Sequence, residues 1–78
     1  MITNMIISLK GARNNAGFTQ QEVAKKLSIG RSTVAKLEKD SSNISKRLLD
    51  KMTDLYGVDQ DNIFLGKYLD YQKTYRNK

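Results

Sequence analysis

Between Thr19 and Asp40 the chain reads TQQEVAKKLSIGRSTVAKLEKD. Arg31, Ser32, Thr33, Ala35 and Lys36 stand close together in that stretch, and the chemistry open to them is recognition rather than bond-making. The guanidinium of Arg31 can donate two parallel hydrogen bonds to O6 and N7 of a guanine. The hydroxyls of Ser32 and Thr33 both donate and accept, so they can pair with several base edges. The Thr33 and Ala35 methyls can touch a thymine methyl, and Lys36 can reach a guanine or a phosphate. The same side chains would also suit a solvated helix face, so the surrounding sequence has to decide.

Catalytic alternatives are narrow. The chain has no Cys and no His, which excludes disulfides, thiolate metal sites, thiol nucleophiles and imidazole bases. Asp59, Asp61 and Asn62 imitate the start of a calcium loop. However, Phe64 falls where the loop requires glycine and Asp70 where it requires a bidentate Glu, so helix capping is the better reading. There is no glycine-rich phosphate loop, and no base is placed to activate the serines of the quoted stretch. No enzymatic activity, metal or cofactor is expected.

The charge balance points to an anionic partner. In 78 residues, 14 Lys and Arg face 8 Asp and Glu, a formal net charge of +6. Such an excess favours nucleic acid first and an acidic protein or membrane surface second. The longest near-apolar run, Met5-Ile6-Ile7, is far short of the ~20 residues that span a bilayer. The expectation is a cytoplasmic protein without a secretion signal or membrane contact. Asn43-Ile44-Ser45 is then a chance glycosylation triplet.

The elements that must position these residues are helical. There is no proline anywhere, so no backbone N–H is missing from a helix interior. Helix 1 is expected from a Ser8 cap, with Leu9, Ala12, Arg13 and Ala16 on one face and Gly17 closing it in the left-handed conformation. Gly11 inside it costs roughly 1 kcal/mol relative to Ala, so tertiary packing must support this helix. Helix 2, about 19–27, opens with a capping box of Thr19 and Glu22 and buries Val23, Ala24 and Leu27. Helix 3, about 31–39, turns Val34, Leu37 and Glu38 inward. Helix 4 carries Leu48, Leu49, Met52, Leu55 and Tyr56 and ends at Gly57. A short fifth helix capped by Asp59 follows, folding Ile63 and Phe64 back on the core.

Five short helices make an all-α domain, with a globular unit over 1–66 and a basic, tyrosine-rich tail over 67–78. The tail sets Lys67, Lys73, Arg76 and Lys78 against Asp70 and repeats Tyr68, Tyr71 and Tyr75 at helical spacing. A helical extension, a dimer contact and a loose tail all fit it. Helices 2 and 3 are separated only by Ser28-Ile29-Gly30, too short a turn for an antiparallel pair, so they must cross steeply. Ile29 is the apolar plug at that corner and Gly30 the N-cap of helix 3. This helix-turn-helix geometry and the net charge favour a reading face over a merely solvated one.

The words "LKGARNNAGFTQQEVAKKL", "SIGRSTVAKLEKD" and "LYGVDQDNIFL" across residues 9–65 strongly resemble the Cro/repressor-type helix-turn-helix family, the lambda-repressor-like domains of phage repressors and small bacterial regulators. The resemblance implies a compact five-helix fold. It also implies that Gln20 bonds a DNA phosphate and braces the recognition helix, and that Arg31, Ser32 and Lys36 read bases, with Thr33 on base or backbone. Lys39 and the loop Ser42-Asn43-Ile44 would make a second phosphate clamp, partly from backbone N–H groups, with Lys46 adding charge. Arg13 and Glu38 would form a buried ion pair tying helix 1 to helix 3.

Three positions depart from the family pattern. Gly30 replaces a Ser or Thr cap, Asp40 stands where a glycine commonly closes helix 3, and the loop lacks a proline before helix 4. The functional expectation is a sequence-specific regulator of transcription, a Cro-like repressor, binding double-stranded DNA on a palindromic operator as a homodimer. A protein-interaction module of the same fold, facing a protein antagonist or a toxin, is the alternative.

Overall fold

Ser8, Thr19, Gly30 and Ser45 are the four points where the chain turns into its longer helices. The structure, a computed structural model, describes residues 6–76. Met5 of the apolar run, the rest of 1–4, and Asn77 and Lys78 of the tail lie outside the described residues. Helix α1 (Leu9–Ala16) starts at Ser8, whose Oγ accepts the Gly11 N–H at 3.0 Å, and stops at Gly17 with φ 85°. Helix α2 (Gln20–Leu27) carries the reciprocal capping box: Glu22 N–H donates to Thr19 Oγ1 at 3.1 Å and Thr19 N–H to Glu22 Oε1 at 2.8 Å. Helix α3 (Arg31–Lys39) starts at Gly30 without a side-chain cap. Helix α4 (Lys46–Tyr56) begins before its apolar pattern does, because Ser45 Oγ accepts the Leu48 N–H at 3.1 Å.

The fifth helix is displaced from its expected place. After Asp59 there is only a 3-10 turn, Gln60–Asn62, capped by the Asp59 carboxylate through the Asp61 N–H at 3.0 Å. Extended backbone is needed next. Ile7 N–H donates to Asn62 O at 2.8 Å and Phe64 N–H to Ile7 O at 2.9 Å, pairing Ile7 with Ile63 in a parallel bridge. Helix resumes in α5 (Tyr68–Tyr71) and runs on as a π-helical turn through Gln72–Arg76. The tyrosines of this segment stack on one another, with centroids 5.9 Å apart for Tyr68–Tyr71 and 5.5 Å for Tyr71–Tyr75. Phe64 lies 5.6 Å from Tyr71 and 5.8 Å from Tyr75. Thus, among the described residues, the chain is an all-α domain of five α-helices with no strand.

The core joins these elements through Leu9, Ala12, Val23, Ala24, Val34, Leu49, Met52, Tyr56 and Ile63. Val23, Val34 and Met52 are wholly enclosed, and each such burial is worth roughly 1.5–3 kcal/mol. Leu37 is only half-buried but packs on this core, as do Phe18, Leu27 and Ile29. Gly11 has a packing reason: a Cβ there would lie 3.0 Å from Ile7 Cγ1. Its absence lets the Ile6–Ser8 segment close over α1, which offsets the helix-propensity cost. No described helix is long and apolar enough to cross a membrane.

Candidate nucleic-acid interface

The corner between α2 and α3 is closed by the backbone. Ser28 takes φ 57°, the left-handed region usually left to glycine. Its N–H donates to Lys25 O at 3.3 Å, and the Ile29 N–H donates to Ala24 O at 3.0 Å. Ile29 packs half-buried against the core, filling the corner. Helix α3 therefore stands on a rigid support, with Val34 and Glu38 turned in. Arg31, Ser32, Thr33, Lys36 and Lys39 are exposed, and Ala35 is half-buried among them.

A chain of polar contacts runs from the interior to that face. Arg13 and Glu38 are both buried and meet through two bonds, Nε to Oε2 at 2.5 Å and Nη2 to Oε1 at 3.1 Å. Arg13 Nη1 also donates to Phe18 O at 2.8 Å, so the bend before α2 is tied to the same guanidinium. The hydrogen bond that Arg13 donates to Glu38 raises the pKa of Arg13 above its ordinary value, outweighing the effect of burial. Glu38 Oε1 accepts a further bond from Gln20 Nε2 at 2.9 Å. Gln20 Oε1 in turn accepts from Arg31 Nη1 at 2.9 Å. Gln20 is held at both ends of its amide, and its oxygen is aimed outward at Arg31. Near the pair, the Tyr56 hydroxyl is buried with no hydrogen-bond partner among the described residues, and burial pushes its pKa up to about 12.

The turn after α3 is arranged differently. Asp40 Oδ1 accepts from Ser42 N–H at 3.0 Å and from Ser42 Oγ at 2.7 Å. These bonds hold the Asp40 carboxyl below its ordinary pKa, with Lys67 adding a smaller pull. The Ile44 N–H donates to Ser41 O at 3.2 Å. Two of the backbone N–H groups expected to clamp a phosphate are therefore already bonded within the chain, while Asn43 stays exposed. Lys46, at the start of α4, donates to Asp50 at 2.9 Å and to Gln60 at 3.1 Å. Lys46 first, then Gln60, holds the Asp50 carboxyl below its usual value.

Residue patterning missed two features here. Ser41 is buried and accepts the Gly66 N–H on its Oγ at 3.0 Å, while its own N–H donates to Gly66 O at 2.9 Å. It pins the turn to the chain entering α5, and a serine in a polar loop gives no signal of that. The Asp40–Ser42 bond did have a signal, since an Asp beside Ser-Ser favours a bond to the N–H two residues on.

Comparison with known proteins agrees with this geometry. Residues 9–60 match the helix-turn-helix family. Over 59 residues, 76% of the chain, the sequence is 42% identical to the HTH-type transcriptional regulator ImmR of Bacillus subtilis (strain 168). The matched stretch is 46% of that relative, so the chain spans about half the length of the curated protein it matches.

Proposed function

The chain belongs to the Cro/repressor-type helix-turn-helix family, and on that premise we propose that it regulates transcription by binding specific sites on double-stranded DNA. One observation carries the reading. The exposed face of α3 presents Arg31, Ser32, Thr33 and Lys36 around Ala35, with Arg31 held to the interior through Gln20 and Glu38. Arg31, Ser32 and Lys36 read base edges in the major groove, with Thr33 and Ala35 supplying hydroxyl and methyl contacts. Gln20, Lys39 and the exposed Asn43 meet phosphates and set the register of the helix. Ser42, Ile44 and Lys46 follow α3 in the sequence but are engaged within the chain, so their share of the phosphate contact is smaller.

One such module covers one half-site, and repression from a palindromic operator needs two copies. Leu65 and Tyr75 are 47% and 43% exposed, and a second copy docks on apolar side chains of this C-terminal segment. The site of action is the cytoplasm, where bacterial duplex DNA lies. The matched family is not one of enzymes, and no bond-making step is assigned.

Selection of bound sites from a random duplex pool tests the proposal. The expected result is an enriched motif with two inverted halves roughly 34 Å apart. Binding that is salt-sensitive but enriches no sequence would overturn base reading and favour an acidic protein partner.

A further inference from the structure

We propose that the groove between α3 and the start of α5 seats a sugar-phosphate strand of the bound duplex, with Lys10 and Lys67 as phosphate contacts outside the helix-turn-helix. The inference rests on the DNA-binding reading and extends it to residues that the helix-turn-helix itself does not include. The groove encloses about 890 Å3, and its walls include Lys10, Lys36, Lys39 and Lys67. Two acidic residues also line it, Glu38 and Asp40, together with Tyr68 and Leu69. Glu38 is neutralised by Arg13, whereas Asp40 is hydrogen-bonded to neutral Ser42 and keeps its charge. Four lysines against that one carboxylate leave the groove cationic, and its complement is a polyanion.

Position narrows the polyanion to the duplex itself. Ala35, Lys36 and Lys39 belong both to the groove and to the outer side of α3. A duplex that takes α3 into a major groove about 12 Å wide brings a flanking backbone strand alongside the helix. The groove is where such a strand finds further cations. Gln20 and Asn43, one from each end of the helix-turn-helix contact region, line the same space.

The aromatic tail supports the Lys10 side chain, and a backbone bridge places Lys67. Lys10 Nζ sits 5.2 Å from the centroid of the Tyr68 ring, a cation–π contact. Tyr68 is held by its stack on Tyr71, and Tyr71 by Phe64. Lys67 is the residue that opens α5, and its backbone pairs with Asp40 in an antiparallel bridge. Exposed lysines normally lose rotamer freedom on binding; here the ring beneath Lys10 and the bridge at Lys67 have already limited the chain around them. Tyr68, braced by Tyr71, thus holds Lys10 beside the recognition helix.

The test is the salt dependence of binding to the selected duplex. Each phosphate contact contributes about 0.9 to the slope of log affinity against log salt. The double variant Lys10→Gln with Lys67→Gln should reduce the slope by about 1.8, leave the preferred sequence unchanged and keep a cooperative thermal transition. The double variant Lys10→Arg with Lys67→Arg, which keeps both charges and the ring contact, should restore the slope. A Gln pair that retains the wild-type slope overturns the inference, as does an Arg pair that fails to restore it. Loss of binding to polyglutamate with duplex binding intact would overturn it in favour of an acidic protein. Absence of any duplex preference in the wild-type chain would instead sink the DNA-binding reading on which the inference rests.

Discussion

Along α3, Arg31, Ser32, Thr33, Lys36 and Lys39 are exposed, and the only side-chain tie among the described residues is the bond from Arg31 to Gln20. In the turn that follows, Ser42 donates twice to Asp40, Ile44 gives its N–H to Ser41, and Lys46 is shared by Asp50 and Gln60. Both regions are polar with one carboxylate each, Glu38 in the helix and Asp40 in the turn. They differ in where the donors go. On the helix, backbone N–H groups are used by the helix itself and the side chains remain for a partner. In the turn, acceptors of the chain itself, Asp40, the Ser41 carbonyl, Asp50 and Gln60, take the donors that a partner would need. Residue type alone therefore does not say which polar surface is available.

The largest change to that contrast comes from beneath the helix. Glu38→Ala leaves the Arg13 guanidinium buried without its counter-charge and should cost roughly 3–5 kcal/mol in denaturant unfolding. It also removes the acceptor that fixes Gln20, so duplex affinity should fall further than the folded fraction explains. A loss below about 1 kcal/mol would show the pair to be a solvated contact rather than the anchor of the reading face.

A smaller effect of opposite sign is expected in the turn. Asp40→Ala releases the Ser42 N–H and removes a negative charge, so all duplexes should bind severalfold more tightly with the preferred sequence unchanged. Unaltered affinity would mean that the turn does not approach a backbone strand at all. The bond also sets a pH dependence. The Asp40 carboxyl lies below its ordinary value of 3.8 in the folded chain. Its contribution is therefore complete above about 3.8 and disappears only as pH falls through the lower folded value. Hydrogen exchange at Ser42 should stay protected at pH 5, and early exchange there would contradict the Asp40 contact.

The smallest effect belongs to Lys46→Gln. Its ammonium is already shared between Asp50 and Gln60, so duplex affinity should change less than about twofold. A loss comparable to that of a phosphate contact would move Lys46 from the closed region to the open one.

The all-α class and α1–α4 were legible because local chemistry decides them. Ser8, Thr19 and Gly57 act at the ends of helices that the apolar spacing already outlines. Helical spacing puts Arg13 and Glu38 on inward faces, where buried charges need partners, while their pairing with each other followed from family resemblance. The short element after Asp59 was misjudged because tertiary demand overrides it: Ile63 must be extended to pair with Ile7. The tyrosines showed helical spacing, but what that face packs against, Phe64 for Tyr71 and Tyr75 and Lys10 for Tyr68, lies elsewhere in the chain. Ser41 and the closed turn depend on contacts with Phe64 and Gly66, far along the chain, which residue spacing cannot encode.

The reading face is tested most directly by a cycle between one protein substitution and single base-pair changes in the selected duplex. Wild type and Arg31→Ala would be titrated against the preferred site and each altered site at fixed salt. The account predicts a loss of roughly 1–3 kcal/mol on the preferred duplex that vanishes when one particular base pair, and its symmetric copy, is changed. An equal loss on every duplex would show that Arg31 contacts only the backbone, contradicting the assignment of base reading to this helix.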